Sequence, residues 1–219
     1  YLPKGITYTV TGLPVRQGFM SKNKADAKKE LGFDNNMCIL SWGGSLGAGR
    51  INETVADLIA WHTQKGLNIN HIHSYGGMGK DTFEKDLAEK DVDFKNNPRL
   101  IVKEYIHNMD TCTAAADLII CRAGASAISE LEALGRASIL VPSPIVAGNH
   151  QYHNAMVLGK AGAAIVIEQK DLTSELLISR VEELFNNRAK LDSIACKAGS
   201  MFVKDTPDRI YSVIEGLIK

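Results

Sequence analysis

Short apolar, β-branched runs alternate with amphipathic stretches along the chain, and this alternation limits its possible folds more than any other feature. The runs that predict strands are 6–10, 37–42, 69–74, 100–105, 117–121, 138–141 and 164–167. The stretches that predict helices lie at about 24–31, 51–65, 81–89, 109–116, 126–134, 150–160, 174–185, 190–203 and 208–218. Strands separated by helices pair in parallel, because a crossover connection returns the chain in the same direction.

Several of the predicted strands are apolar along their whole length, as in LIIC at 118–121 and ILV at 139–141. Strands of this kind are typical of sheets whose two faces are both covered by helices. We therefore predict an α/β fold with a doubly wound, Rossmann-like parallel sheet. Ligands of such sheets bind beyond the carboxyl ends of the strands, so the loops after residues 42, 74, 105, 121 and 141 are the places to seek chemistry.

The chain has 219 residues, and we predict a single domain over 1–219 that includes a closing helix at about 207–218. Lys and Arg total 25 and Asp and Glu total 25, so the net charge of zero gives no global reason to expect a nucleic-acid partner. Local basic patches are still compatible with it. The apolar runs fall short of the roughly 18–20 residues that span a bilayer, so we predict no transmembrane segment.

Cysteine usage and the first residues bear on where the protein is found. The four cysteines form no C-x-x-C pair, and Cys38 and Cys121 stand in apolar runs, where cysteine acts as a small hydrophobe. This pattern favours a reducing, cytoplasmic location. The chain begins at Tyr1 without a methionine, signal peptide or basic leader, and it reads as a strand by Thr7. We therefore expect a piece of a longer protein.

A glycine-rich loop, GGSLGAG at 43–49, joins a predicted strand to a predicted helix. Its glycines allow a ligand to approach the backbone, and the helix start offers unpaired N–H groups, so an anion fits there. The spacing is not that of the dinucleotide fingerprint, and Arg50 and Ile51 replace the Lys and Ser or Thr of a phosphate loop. A tight turn that binds nothing explains the loop equally well.

A second loop of small residues, RAGAS at 122–126, also leads from a strand into a helix. Ser126 is placed either to cap that helix or to donate a hydrogen bond to a phosphate. One turn further, Glu130 could accept hydrogen bonds from the two hydroxyls of a ribose. The helix dipole favours a glutamate at this position even without a ligand, so both interpretations stay open.

The long loop 142–149 opens a helix on which Gln151 and Asn154 share one face. Each amide offers both donors and acceptors, so together they could bracket the hydroxyls of a sugar ring. Exposed amides are also common on helices that bind nothing.

Three patterns resemble metal sites, and we predict that none of them is one. His150 and His153, like His71 and His73, lack a third ligand of fitting geometry. The DVD sequence at 91–93 matches the D-x-D motif of one glycosyltransferase class, but it precedes a strand and so lies at the wrong end of the sheet. We read it as a solvated acidic turn.

Five blocks, in order and with plausible spacing, together resemble one family. They are TGLPVR at 11–16, GGSLGA at 43–48, YIHNM at 105–109, ADLIICRAGASAISE at 116–130 and NHQYHNA at 149–155. They are similar to the C-terminal half of the MurG transferases, which add N-acetylglucosamine to the lipid-linked muramoyl-pentapeptide of bacterial peptidoglycan synthesis. The resemblance covers essentially the whole chain.

This resemblance implies a two-domain GT-B enzyme in which the present half binds the donor, UDP-N-acetylglucosamine (UDP-GlcNAc). An absent N-terminal half would bind the lipid acceptor. The family's donor-binding positions fall on Arg16, Ser45, Ile106, Ala125, Ser126, Ala127, Ile128, Ser129, Glu130 and Gln151, and we add Asn154, which shares a helix face with Gln151.

The resemblance also implies a role for each part of this set. Ser45, Arg16 and the two helix N-termini would bind the diphosphate, because N–H groups and guanidinium suit phosphate. The main chain of Ile106 would bind the uracil edge, and Glu130 would bind the ribose. Gln151 and Asn154 would bind the sugar hydroxyls.

Two positions depart from the family pattern. Leu13 stands where the family usually has Asn, and Leu46 stands where it usually has Gln. The phosphate and ribose contacts do not depend on these amides. We therefore expect the two replacements to affect sugar selection and catalytic efficiency and not the binding of phosphate and ribose.

The implied reaction is inverting transfer without a metal or cofactor, in which an acceptor hydroxyl attacks the anomeric carbon while UDP departs. The general base is expected in the absent half, so no catalytic residue is assigned to this chain. We expect the isolated chain to bind UDP-sugar weakly and to transfer nothing. The full-length protein is expected at the cytoplasmic face of the cell membrane.

Two other classes stay open at this point. One is a non-catalytic nucleotide-sugar-binding subunit that works with a separate membrane-bound acceptor subunit, as in the eukaryotic dolichol-linked relatives. The other is an NAD-dependent oxidoreductase, which the glycine spacing and the missing acidic residue after the first strand disfavour.

Overall fold

The computed structural model describes residue 5 and residues 8–218. Within them one sheet has six strands, Met37–Trp42 (β1), Ile69–Ser74 (β2), Leu100–Lys103 (β3), Leu118–Cys121 (β4), Ala137–Leu140 (β5) and Ile165–Val166 (β6). Their order is β3-β2-β1-β4-β5-β6, and each neighbouring pair is parallel. The predicted doubly wound parallel sheet is confirmed.

Helices connect the strands and cover the sheet. Those of the described residues are Gln17–Met20 (α1), Lys24–Glu30 (α2), Gly49–Gln64 (α3), Phe83–Glu89 (α4), Met109–Ala115 (α5), Ala125–Leu134 (α6), His150–Ala161 (α7), Ser174–Asn186 (α8), Arg188–Ser200 (α9) and Thr206–Ile218 (α10). Side chains of α3, α4 and α8 form the core on one face of the sheet. Side chains of α2, α5, α6 and α7 form the core on the other face.

The side chains of β1 enter these two cores alternately, because successive residues of a strand point to opposite faces. Ile39 lies in the core beneath α3 and α4, whereas Cys38 and Leu40 lie in the core beneath α2 and α5. All three side chains are fully buried. The uninterrupted apolar run of this strand thus follows from burial on both faces.

The first predicted strand, 6–10, is wrong where the structure describes it. Ile6 and Thr7 lie outside the described residues, and residues 8–10 have no regular structure. Tyr8 and Val10 are about two-thirds exposed, so their β-branched and aromatic character is not used in packing. The short helix α1, which no pattern predicted, follows at Gln17–Met20 and is anchored by the buried ring of Phe19.

Asp117, just before β4, has a buried carboxylate that ties α2 to the sheet. The Nζ atoms of Lys24 and Lys28 each lie 2.7 Å from one of its oxygens, and the N–H of Cys38 donates at 3.0 Å. Burial raises the pKa of Asp117, but the bonds from the two lysines outweigh this and hold it at about 2. The network lies at the amino-terminal edge of the sheet, so this part of the 116–130 block is structural.

The closing helix α10 occupies Thr206–Ile218, close to the predicted 207–218. Its first residue is buried, but Tyr211, Leu217 and Ile218 are 68%, 82% and 81% exposed. The apolar side of this amphipathic helix therefore faces solvent in the structure. Along residues 8–218, no helix combines the length and apolar character needed to cross a membrane.

Candidate functional site

The carboxyl ends of β1 and β4 lie side by side where the strand order reverses, which is where ligands of doubly wound sheets bind. A cavity of about 410 Å³ occupies this crevice. It is lined by Gly43, Gly47, Ala48, Gly49, Arg50, Met78, Arg122, Ser143, Pro144, Ile145, Gln151 and Gln169. Larger cavities lie beside β6, beside α4 and beside the C-terminus of α6, but the glycine loop borders none of the three.

The glycine-rich loop forms one wall of the cavity and ends at the N-terminus of α3. Gly44 and Gly47 have φ of 102° and 83°, and the N–H of Gly47 donates to the carbonyl of Gly44 at 3.0 Å. Ser45 is exposed at the tip of the resulting turn. α3 has no side-chain cap, so N–H groups of its first turn remain for a ligand.

A second glycine loop, which follows β2, supports the first one. The N–H of Met78 donates to the carbonyl of Leu46 at 2.9 Å, and the side-chain amide of Asn52 donates to the carbonyl of Tyr75 at 2.9 Å. A Cβ atom at Gly47 would overlap that Tyr75 carbonyl oxygen. This contact was not predicted, although the run YGGMG directly after a predicted strand was a signal for it.

The helix that follows the second loop of small residues is α6. It begins at Ala125, one residue earlier than predicted, with Gly124 as its N-cap. Ser126 is therefore inside the first turn and does not cap the helix. It is exposed together with Ala125, whereas Ile128 is buried and holds the helix to the sheet. Ala127 and Ser129 are partly buried beside these residues.

Glu130 lies one turn into α6 and is half-buried. Burial raises the pKa of its carboxyl, and the nearby positive charge of Arg16 acts in the opposite direction. The guanidinium of Arg16 lies 4.9 Å from the centre of the Phe19 ring, at the N-terminus of α1. Arg16 thus lies within electrostatic range of Glu130 and does not line the 410 Å³ cavity.

A smaller cavity of about 220 Å³ lies on this side of the site, between Arg16, Gly18, Phe19, His107, Met109 and Asp110. Ile106, which immediately precedes His107, is buried. Among the described residues, neither the N–H nor the carbonyl of Ile106 has a backbone partner. Its main chain therefore keeps one donor and one acceptor available.

Gln151 and Asn154, predicted to share a face of α7, are each held by one end of the amide. Oε1 of Gln151 accepts the N–H of Ser143 at 3.0 Å, and Nδ2 of Asn154 donates to the carbonyl of Ala123 at 3.3 Å. The structure therefore brings Gln151 to the cavity and connects Asn154 to the loop that leads into α6.

Arg122 is a cavity residue that the sequence analysis passed over. Its guanidinium donates to the carbonyls of Val141 and Pro142 at 3.2 Å each and to Oε1 of Gln169 at 2.5 Å. Burial lowers the pKa of this guanidinium, which nevertheless stays charged at neutral pH because arginine is so strongly basic. An arginine between an apolar strand and a glycine loop was the available signal.

The histidine pairs lie apart from the cavity. His71 and His73 are buried in the core, where both bond to Ser41, and His71 also contacts Nε2 of His62 at 3.1 Å. His150 is exposed and contacts the carbonyl of Ala147. Among the described residues, no group of three or more His, Cys, Asp or Glu side chains could hold a metal ion. Metal-free donor binding remains a prediction.

The comparisons with known proteins agree with this geometry. The family model of the glycosyltransferase family 28 C-terminal domain matches residues 38–210. The chain belongs to this family. The match includes both helix N-termini, Ile106, Gln151 and Asn154, whereas Arg16 lies before it.

Two curated relatives of this family 28 domain have the same name, UDP-N-acetylglucosamine–N-acetylmuramyl-(pentapeptide) pyrophosphoryl-undecaprenol N-acetylglucosamine transferase. The protein of Acetivibrio thermocellus is 39% identical over 210 residues, which are 95% of this chain and 55% of that protein. The protein of Thermoanaerobacter sp. is 38% identical over 209 residues, which are 95% of this chain and 56% of that protein. The chain thus spans about half the length of these relatives.

Two solved structures are similar to this family 28 domain. MurG of Acinetobacter baumannii matches with a TM-score of 0.73 and 29% identity over 91% of this chain and 55% of that one. A UDP-GlcNAc 2-epimerase of Neisseria meningitidis, solved with UDP-GlcNAc, matches with a TM-score of 0.61, 10% identity and coverage of 88% and 48%, which shows a shared fold alone. The resemblance to MurG transferases is confirmed.

Proposed function

We propose that this chain is the UDP-GlcNAc-binding half of an inverting transferase that adds N-acetylglucosamine to lipid I to form lipid II. The observation that carries the proposal is the pairing of two helix N-termini, those of α3 and α6, at the reversal point of the sheet. Neither helix has a side-chain cap, so both keep N–H groups for an anion. The names of the curated relatives support the same donor and acceptor.

The diphosphate of the donor would lie between these helix ends. Ser45 is exposed at the tip of the glycine turn and Ser126 is exposed in the first turn of α6, so each hydroxyl can donate to a phosphate oxygen. As the bond to the sugar breaks, negative charge grows on the departing UDP. Fixed N–H groups and dipoles stabilise that charge without reorganising, which lowers the barrier to transfer.

The uridine would occupy the side of the site that contains Ile106, Arg16 and Glu130. The unpartnered main chain of Ile106 matches the donor and acceptor edge of uracil, and the Glu130 carboxylate suits the two ribose hydroxyls. Arg16, close to Glu130, would contact the ribose or the nearest phosphate from this side. The sugar would then lie against Gln151 in the larger cavity.

The acceptor and the general base would come from the part of the enzyme beyond this domain, since the relatives are nearly twice as long. The whole enzyme would work at the cytoplasmic face of the membrane, where UDP-sugars are available. The unpaired thiols of Cys38, Cys112, Cys121 and Cys196 are consistent with a reducing compartment.

Calorimetric titration tests this proposal. We expect the chain to bind UDP-GlcNAc and UDP and to give no heat with NADH. Glu130→Gln should lower the affinity for UDP-GlcNAc and for UDP by the same factor, about tenfold, because a charge-assisted bond to the ribose is lost. Glu132→Gln, two residues further along α6, is the matched control and should leave both affinities unchanged.

An assay with the lipid-linked acceptor tests the division of labour. We expect no transfer by this chain alone, and sustained turnover would contradict that expectation. Binding of NADH without UDP-GlcNAc would overturn the donor assignment itself.

A further inference from the structure

Arg122 connects three separate segments at the rim of the larger cavity. From the end of β4, its Nη1 donates to the carbonyls of Val141 and Pro142, the first two residues after β5, at 3.2 Å each. Its Nη2 donates to Oε1 of Gln169, beyond β6, at 2.5 Å. One planar group thus fixes the beginning of the 142–149 loop against two neighbouring strand ends.

The next residue of that loop determines the orientation of Gln151. The N–H of Ser143 follows directly after the two carbonyls held by Arg122, and it donates to Oε1 of Gln151 at 3.0 Å. Ser143 is 9% exposed and Gln151 is partly buried, so this bond lies in the wall of the cavity. With Oε1 occupied, Nε2 of Gln151 has no partner among the described residues and is free to donate into the cavity.

Asn154 has the opposite polarity. Its Nδ2 donates to the carbonyl of Ala123, the neighbour of Arg122, at 3.3 Å, which leaves Oδ1 as the free acceptor. The pair therefore presents a donor at Gln151 and an acceptor at Asn154. A sugar hydroxyl can satisfy either one, but the orientation of each amide is decided by the protein before the ligand arrives.

We infer that Arg122 is a positioning residue for the sugar end of the donor site, because it holds the Val141–Ser143 main chain that orients the Gln151 amide. This inference rests on the proposed function. The acceptors named above engage three of the five N–H groups of the guanidinium, and through these three bonds Arg122 acts on the ligand by way of the loop. Loss of Arg122 should therefore weaken the hold on the sugar and leave the hold on UDP nearly intact.

Titrations of UDP-GlcNAc and UDP with the same protein separate these two effects. In Arg122→Gln, the advantage of UDP-GlcNAc over UDP should fall about tenfold, the scale of one well-placed hydrogen bond. In Arg122→Lys the advantage of UDP-GlcNAc over UDP should fall nearly as far, because an ammonium cannot span three acceptors in one plane. Gln169→Leu, which keeps Arg122 but removes one of its anchors, should cause a smaller change in the same direction.

Arg136 provides the matched control. Like Arg122 it donates to three acceptors, here the main-chain carbonyls of Thr113, Ala114 and Leu134, but it lies before β5, at the opposite edge of the sheet. Arg136→Gln should lower the melting temperature without changing the UDP-GlcNAc to UDP ratio. This variant shows what the loss of a merely structural arginine does to binding.

A double variant decides whether the effect passes through Gln151. Gln151→Ala should lower the ratio, and adding Arg122→Gln should lower it no further. An unchanged ratio in folded Arg122 variants, equal losses for both ligands, or additive losses in the double variant would each overturn the inference. Failure of the unaltered chain to bind UDP-GlcNAc would instead overturn the proposed function.

Discussion

At the scale of single residues, the buried histidines make the stability of the domain depend on pH. Burial lowers the pKa of His62 to about 4 and that of His73 to about 3, and it holds the pKa of His71 well below its usual value. Unfolded histidine titrates near 6.5, so below that pH the unfolded chain binds more protons than the folded one. The stabilisation is complete above about pH 6.5 and is lost progressively as the pH falls.

We expect the free energy of unfolding to fall by about 1.4 kcal/mol per pH unit for each of the three histidines below pH 6.5. Urea unfolding at a series of pH values from neutral to acidic measures this slope. His62→Gln, which keeps a donor near His71, should reduce the slope by the contribution of one histidine. His107→Gln alters an exposed histidine and should not change it. A stability independent of pH across the acidic range would contradict the assigned neutral state.

The positions of individual candidate site residues were predictable where they depend on a local pattern. Gln151 and Asn154 were assigned from their spacing on one helix, and the structure shows both on the same edge of the sheet, each engaged by its amide. Arg122 was missed because its partners are 19 to 47 residues further along the chain. The pairing of β4 with β5 and of β5 with β6 brings them together.

At the scale of elements, the glycine loop and the loop after β2 form one rigid unit. Gly47 has φ of 83° and lies directly against the Tyr75 carbonyl, so a side chain there meets both backbone strain and a steric clash. Gly47→Ala should cost more than about 2 kcal/mol of stability. It should also weaken UDP binding, because the loop lines the cavity.

Gly49→Ala is the control for this prediction. Gly49 opens α3, has no positive φ, and a Cβ atom there meets nothing within 4 Å. Alanine should be neutral or slightly stabilising at that position, because it has the higher helix propensity. Chemical unfolding of both variants provides the comparison. Equal behaviour of the two would mean that the contact with Tyr75 does not constrain the loop.

Strands were predicted well where they are buried on both faces. β1 and β2 have the predicted limits, and the other four strands of the sheet differ from prediction by one or two residues at their ends. The error at 8–10 has a physical cause: a β-branched segment becomes a strand only when a neighbour supplies hydrogen bonds and a surface to pack on. Local pattern carries no information about that neighbour.

At the scale of the whole molecule, the topology creates the site and the composition does not. The net charge of zero gave no indication of the proposed phosphate binding, which would depend on two helix ends at one crevice. The parallel sheet was predictable because its pattern is repeated in every strand. The division of the site into a cavity of about 410 Å³ and one of about 220 Å³ was not, because it depends on loop conformations.

Deletion of the closing helix α10 tests the prediction that this helix belongs to a single domain with the rest of the chain. α10 has 13 residues, and only its first residue is fully buried. Removal of residues 209–219 should therefore change the free energy of unfolding by less than about 1 kcal/mol, since exposed residues contribute little to stability. Removal from residue 188 onward, which also deletes the buried Leu191 and Ile194 of α9, should abolish cooperative unfolding. If the shorter deletion is equally damaging, α10 packs on the domain more extensively than its exposure indicates.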